Sequence, residues 1–159
     1  MTGGGAAAWL PPVPHLPGRT PRPPDEIFEP LKATLAQRGS PEEMAQSAAF
    51  AGGLSAFAHR YYWEAHELWE AVWIRLPPAS AERYLMRGLI QLANAGLKGR
   101  MGRDAAAVRI LDLADGALAE AAARASTPLM GLDADRLRAL RTRAAAESDA
   151  IRVPRNNAL

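Results

Sequence analysis

Residues 61–73 constrain the fold of this chain more than any other segment. They read YYWEAHELWEAVW and contain three of the four tryptophans, three glutamates and one of the three histidines. The apolar residues recur at helical spacing, so the segment is predicted to be a helix with a wide apolar face. Because such a helix must be buried against other elements, it is expected to carry its histidine and at least one carboxylate inward.

The rest of the chain after residue 25 also has helical signals. Residues 40–43 (SPEE) combine an N-cap, a proline at the first helical position and a glutamate three residues after the serine. No segment shows the sustained two-residue alternation of a β-strand. Helices are therefore predicted at about residues 27–38, 41–58, 62–75, 81–98, 104–125 and from 133 to before 154.

Short connections between these helices predict an antiparallel all-α bundle of about five to six helices. The predicted helical domain spans residues 25–153, and residues 154–159 form a C-terminal tail. At 159 residues the chain is long enough to build one compact core without a disulfide or a structural metal.

Residues 1–24 form a separate, proline-rich segment. Its prolines exclude a helix and favour an extended, polyproline-type path. Two interpretations are open at this stage. The segment is either a disordered tail, or an arm laid along the domain surface, with Trp9 and Leu10 as anchors and with Arg19 and Arg22 paired to acidic residues.

Composition excludes several classes of function. The chain has no cysteine, which rules out a disulfide framework, a thiolate zinc site and a cysteine nucleophile. It has no apolar run of the ~20 residues that a membrane span needs, and its N-terminus lacks the pattern of a secretory signal. The net charge is +2, with arginines and acids interleaved, so a solvated surface is expected rather than a nucleic-acid interface. We expect a cytoplasmic protein.

The predicted third helix contains the first half of a candidate site. Placing its residues about 100° apart puts His66 and Glu70 together in a gap between two apolar arcs, pointing inward, and leaves Glu64 facing water. A buried carboxylate must be paired, protonated or bound to something. An imidazole beside a carboxylate is an acid–base pair, and it is also half of a metal site.

The predicted fourth helix contains the second half. It is apolar over most of its surface except for a narrow stripe of Arg87, Gln91, Asn94 and Lys98. If this stripe faces the third helix, a pocket forms between them. Two other interpretations are open: a buried Glu70–Arg87 salt bridge that fixes helix register, or a stripe that faces solvent. The candidate residues are, for catalysis, His66, Glu67, Glu70 and Arg87; for ligand binding, Tyr62, Trp69, Gln91 and Asn94; and for a metal, His66 and Glu70.

Two motifs, residues 61–73 and residues 87–93 (RGLIQLA), together resemble the bacterial and archaeal family called domain of unknown function 309. The resemblance covers about residues 50–118, and residues 14–24 resemble a proline-arginine lead-in found in one branch of the family. It implies a small all-helical fold, often a homo-oligomer, with the two motif helices packed together. The family's label of metal-dependent hydrolase would point here to His66, Glu67, Glu70 and Gln91.

One departure from the family pattern argues against a histidine-rich metal site, since Lys98 stands where many relatives have histidine. The sequence therefore favours a non-catalytic binding or self-associating module with a buried His/Glu/Arg network, and a homo-oligomer or a small-molecule ligand as its partner. The alternative is a metal-dependent hydrolase or small-molecule enzyme, which would use His66, Glu67 and Glu70 between the third and fourth helices with a divalent metal as cofactor.

Overall fold

The computed structural model describes residues 7–37 and 39–148, and every structural observation below concerns these residues. The all-α fold class is confirmed, since no strand forms within the described ranges. Two short 3-10 helices, Asp25–Ile27 and Thr34–Gln37, flank the first α-helix. The α-helices are α1 (Glu29–Ala33), α2 (Pro41–Ala45), α3 (Ala48–Ala58), α4 (Tyr62–Trp73), α5 (Ala81–Arg100), α6 (Asp104–Arg124) and α7 (Ala134–Ala145).

Side-chain caps set several of the helix starts. The Ser40 hydroxyl accepts a hydrogen bond from the Glu43 backbone N–H at 3.1 Å, as the sequence predicts for the start of α2. The prediction of one helix over residues 41–58 is wrong, because Ser47 divides it. Its hydroxyl accepts from the Phe50 N–H at 3.1 Å and donates to the Met44 carbonyl at 2.7 Å, so one buried serine ends α2 and caps α3.

The centre of the bundle is α5, which packs against α4, α6 and α7, while α3 packs on the other side of α4. Trp69 of α4 is fully buried, and its indole N–H donates to the Phe50 carbonyl at 3.3 Å. The approach of α3 to this ring requires a glycine. A Cβ atom on Gly53 would lie 2.1 Å from the Trp69 indole nitrogen.

The described part of the N-terminal arm, residues 7–24, lies against the helices. The Tyr61 hydroxyl donates to the Pro11 carbonyl at 2.8 Å, and the His15 backbone N–H donates to Glu64 at 2.9 Å. Arg19 donates to the Met101 carbonyl at 2.7 Å, just beyond the end of α5, rather than to an acidic residue. These contacts lie at the start of α4 and at the end of α5.

Three sequence predictions concern chain outside the described residues. They are the first six residues of the arm, the last helix beyond residue 148 and the tail at 154–159. Within the described chain, no helix is both long enough and apolar enough to cross a membrane.

Candidate functional site

The second motif helix, α5, packs beside α4. The α4 residues that are predicted to point inward, His66 and Glu70, instead lie at the edge of the helix packing, where solvent reaches them. The His66 side chain is 21% exposed and the Glu70 side chain is 53% exposed, so the prediction of a buried Glu70 is wrong. The reason is that the second apolar arc of α4, Trp63 and Ile74, is only partly buried against the core. Ile74 is 63% exposed, and Trp63 is covered by the arm, with the His15 ring 4.8 Å from it in an edge-to-face contact.

Glu64, predicted to face water, is the buried carboxylate of the motif, and this prediction is also wrong. The arm covers it: Oε2 accepts the hydrogen bond from the His15 backbone N–H, and the residue is 0% exposed. Its other oxygen, Oε1, is buried with no hydrogen-bond partner among the described residues. Burial raises the pKa of Glu64 above its ordinary value, and the bond from His15 offsets part of that rise.

His66, Glu67 and Glu70 form the one cluster of histidine and carboxylate ligands that the described chain offers to a metal ion. His66 Nε2 lies 3.1 Å from a Glu70 oxygen, and Nδ1 lies 3.7 Å from a Glu67 oxygen. One ligand atom from each residue falls within 4.8 Å of the others. One nitrogen and two oxygens meet the minimum of three protein ligands for a catalytic zinc site. The Lys32 ammonium, 4.0 Å from Glu67, competes with a metal for that carboxylate.

The polar stripe of α5 lies beside α6 and not opposite the polar residues of α4. Gln91 and Arg87 line a cleft of about 280 Å³ together with residues of α6, including Asp112 and Glu120. Asn94 donates to the Gln91 side chain at 3.4 Å. No ion pair joins Arg87 to Glu70 among the described residues, so the interpretation of a buried Glu70–Arg87 bridge is wrong. Helices α4 and α5 do pack together, but with their apolar faces.

The structure places Tyr62 and Trp69, two of the predicted ligand-contacting residues, inside the core. Both are essentially inaccessible to solvent, and each polar atom already has a protein partner. The Trp69 indole N–H is held by Phe50, as described above, and the Tyr62 hydroxyl donates to Glu147 at 2.5 Å. A buried tyrosine or tryptophan usually finds such a partner, and here the partners lie outside the motif.

Glu147 is a second buried carboxylate, and the sequence analysis does not predict it. It accepts two hydrogen bonds from the Arg60 guanidinium, at 2.6 and 2.7 Å, as well as the bond from Tyr62. Burial alone would raise the pKa of Glu147, but the bonds from Arg60 and Tyr62 outweigh it and hold that pKa below its ordinary value. Burial and the bond to Glu147 raise the pKa of the Tyr62 hydroxyl. No local pattern predicts a partner 85 residues away.

One of the comparisons with known proteins matches the segment that contains the two sequence motifs. No curated protein and no solved structure matches this chain. A family model described as a domain of unknown function (DUF309) matches residues 50–110, from α3 into α6. The matched segment includes both motif helices, α4 and α5, and excludes the arm and α7. The match covers 61 of the 159 residues, and over these residues it supports the family predicted from the two motifs.

Proposed function

We propose that this protein is a non-catalytic, helical binding module in which the polar residues of the motif helix hold the fold together. The observation that carries the proposal is the position of Glu64. The buried carboxylate of the motif faces the arm, whose His15 N–H is its hydrogen-bond donor, and it has no exposed surface. A general base must come within about 2.6–3.2 Å of the proton that it removes, or reach it through one water. Glu64 has no such access.

The other polar residues of the motif support the same interpretation. Tyr62 is committed to Glu147 and therefore ties the chain after α7 to the start of α4. Glu70 is half exposed and lacks the apolar surroundings that would tune a carboxylate for acid–base chemistry. Arg87 lines two clefts whose lining includes neither Tyr62 nor Glu70, so the residues predicted to act together do not share one of these clefts.

Elemental analysis of protein purified without an affinity tag tests this proposal. The comparison is wild type against His66→Ala, with His59→Ala as the matched control. His59 is exposed at the end of α3, and its ring contacts the Ser55 carbonyl at 2.8 Å. We expect no stoichiometric metal in any of the three proteins. A bound metal that is lost in His66→Ala and retained in His59→Ala would contradict the proposal.

That contrary result would support the second candidate function, a metal-dependent hydrolase. The cluster of His66, Glu67 and Glu70 is the specific observation in its favour. A divalent ion held there could activate a water molecule, which is the usual role of a catalytic zinc with an open coordination position. The half-exposed Glu70 would leave one side of such an ion open to a substrate. The Lys32–Glu67 contact would then have to open, so Lys32→Ala should increase metal affinity.

Self-association is the second part of the proposed binding role. The large exposed apolar side chains are spread over different elements, with Val13 on the arm, Ile74 just after α4, and Val108 and Leu113 on α6. Homo-oligomerisation stays a prediction from the family resemblance. Light scattering coupled to size-exclusion chromatography, over a hundredfold or so range of concentration, tests it. A constant monomer mass would remove self-association from the proposal and leave ligand binding.

A further inference from the structure

A small cleft opens where the end of α4 meets the first turns of α5. It has a volume of about 210 Å³ and is lined by Trp73, Pro78, Arg83, Tyr84 and Arg87. We call it the arginine cleft. None of the five lining residues is acidic, so two guanidinium groups face a cleft without a lining carboxylate. In a chain with 17 acidic and 19 basic residues, this local imbalance calls for an explanation.

Arg83 is held in place before any ligand arrives. Its guanidinium lies 4.2 Å from the Trp73 ring centroid, and one of its terminal nitrogens donates to the Leu76 carbonyl at 3.0 Å. That bond uses one of the five N–H donors of the group, and the other four have no acceptor among the described residues. A stacked and partly anchored guanidinium loses little freedom when it binds an anion.

Arg87 lies one helical turn after Arg83 and is exposed. It makes no hydrogen bond or ion pair with any described residue, although the neighbouring cleft beside α6 contains Asp112 and Glu120. The Glu120 carboxylate is instead paired with Arg124, whose guanidinium lies 4.3 Å from the Tyr84 ring centroid. Like charges one turn apart on a helix repel each other, and an anion bound between Arg83 and Arg87 would relieve that repulsion.

We propose that the arginine cleft binds the phosphate group of a small phosphate monoester. Two guanidinium groups supply the forked donors that recognise phosphate oxygens, and their charge of +2 matches a phosphate dianion. The volume of the cleft is below that of a typical ligand pocket, which is about 300–1,000 Å³. The cleft therefore suits a phosphate on a short carbon skeleton rather than a whole nucleotide. This inference rests on the proposed binding function and names its ligand class.

The test is a titration of the full-length protein followed through the arginine side-chain N–H signals in NMR spectra. The probes are inorganic phosphate and glycerol 3-phosphate, added at constant ionic strength. We expect saturable shifts at Arg83 and Arg87, with the ester bound at least as tightly as free phosphate. Arg87→Ala and Arg83→Lys should each weaken binding by about tenfold, because each removes charged hydrogen bonds or the stacked fork.

Arg109→Ala is the matched control, since Arg109 is exposed on α6 and lines neither this cleft nor its neighbour. It should bind the probes as wild type does. Acidifying from about pH 7.5 to about pH 5 should weaken binding, because the second phosphate proton binds near pH 6. Acetate should not compete with the probes at equal ionic strength.

Four results would overturn the inference. They are the absence of saturable binding, an equal loss in Arg109→Ala and Arg87→Ala, binding of free phosphate but not of the ester, and binding of a short single-stranded oligonucleotide more tightly than the ester. Each of these results would refute a phosphate monoester as the ligand. None of them would contradict the proposed binding module, provided that the protein is free of metal. A stoichiometric metal at His66 would instead refute the module, whatever the arginine cleft binds.

Discussion

Removal of the Glu147 carboxylate should loosen the contact between the residues just after α7 and the start of α4. Glu147 is buried, and it accepts hydrogen bonds from Arg60 at 2.6 and 2.7 Å and from Tyr62 at 2.5 Å. These three bonds link the residue just after α7 with the turn that leads into α4. Their removal therefore tests how much this polar network contributes to the free energy of unfolding.

The expected cost can be worked out for each partner. In Glu147→Ala the Tyr62 hydroxyl is left buried without its acceptor, which costs about 1–3 kcal/mol. The Arg60 side chain is 48% exposed and can turn to water, so loss of its ion pair costs a further ~0.2–1 kcal/mol. We expect the free energy of unfolding to fall by about 2–3 kcal/mol, a large part of the roughly 5–15 kcal/mol of a typical domain.

Urea denaturation of four proteins measures this cost: wild type, Glu147→Ala, Tyr62→Phe and the double variant. Glu26→Ala, which removes an exposed glutamate that has no ion pair with any described residue, is the control and should change little. Tyr62 and Glu147 should show a coupling free energy of about 1 kcal/mol or more. The reasoning is refuted if Glu147→Ala costs less than ~0.5 kcal/mol and the two substitutions are simply additive.

Three further predictions concern stability. Burial in the folded state raises the pKa of Glu64 above its ordinary value, so the folded state binds its proton more tightly than the unfolded state. The free energy of unfolding should therefore fall as the pH rises from the ordinary pKa of a glutamate through the raised pKa of Glu64, and Glu64→Gln should remove that slope in urea denaturation at several pH values. Gly53→Ala should cost about 1–3 kcal/mol or more, because its Cβ would overlap Trp69. Gly116→Ala meets nothing within 4 Å and should gain about 0.5–1 kcal/mol, as thermal unfolding would show.

The sequence predicts most helix limits because they depend on local chemistry. Serine caps, prolines and glycine-containing turns act within a few residues, so α4, α5 and α6 begin and end close to the predicted positions. The sequence pattern does not predict the break between α2 and α3, although Ser47 is a standard cap residue. Its apolar neighbours on both sides continue the helical pattern, and only the burial of its hydroxyl between two backbone partners makes it a boundary.

The site was less predictable because its geometry depends on contacts distant in sequence. A helical wheel of α4 gives the relative directions of its side chains but not which sides are covered. The arm covers the side that contains Glu64, 49 residues from its donor His15, and leaves Glu70 at the rim. A helical wheel that includes the arm as a packing partner predicts a buried Glu64 and an exposed Glu70, as the structure has them.

The motif is divided along α4 in a way that fits the two roles that we propose for this helix, stability and ligand binding. Its first turn holds Tyr62 and Glu64, whose partners are the chain after α7 and the arm, so this end is closed by the protein itself. Its last residue, Trp73, is half-buried and carries the stacked guanidinium of Arg83 at the edge of a cleft. The contact of Trp73 with Arg83, at the edge of a cleft without a lining carboxylate, is what favours a ligand role for this end of the motif.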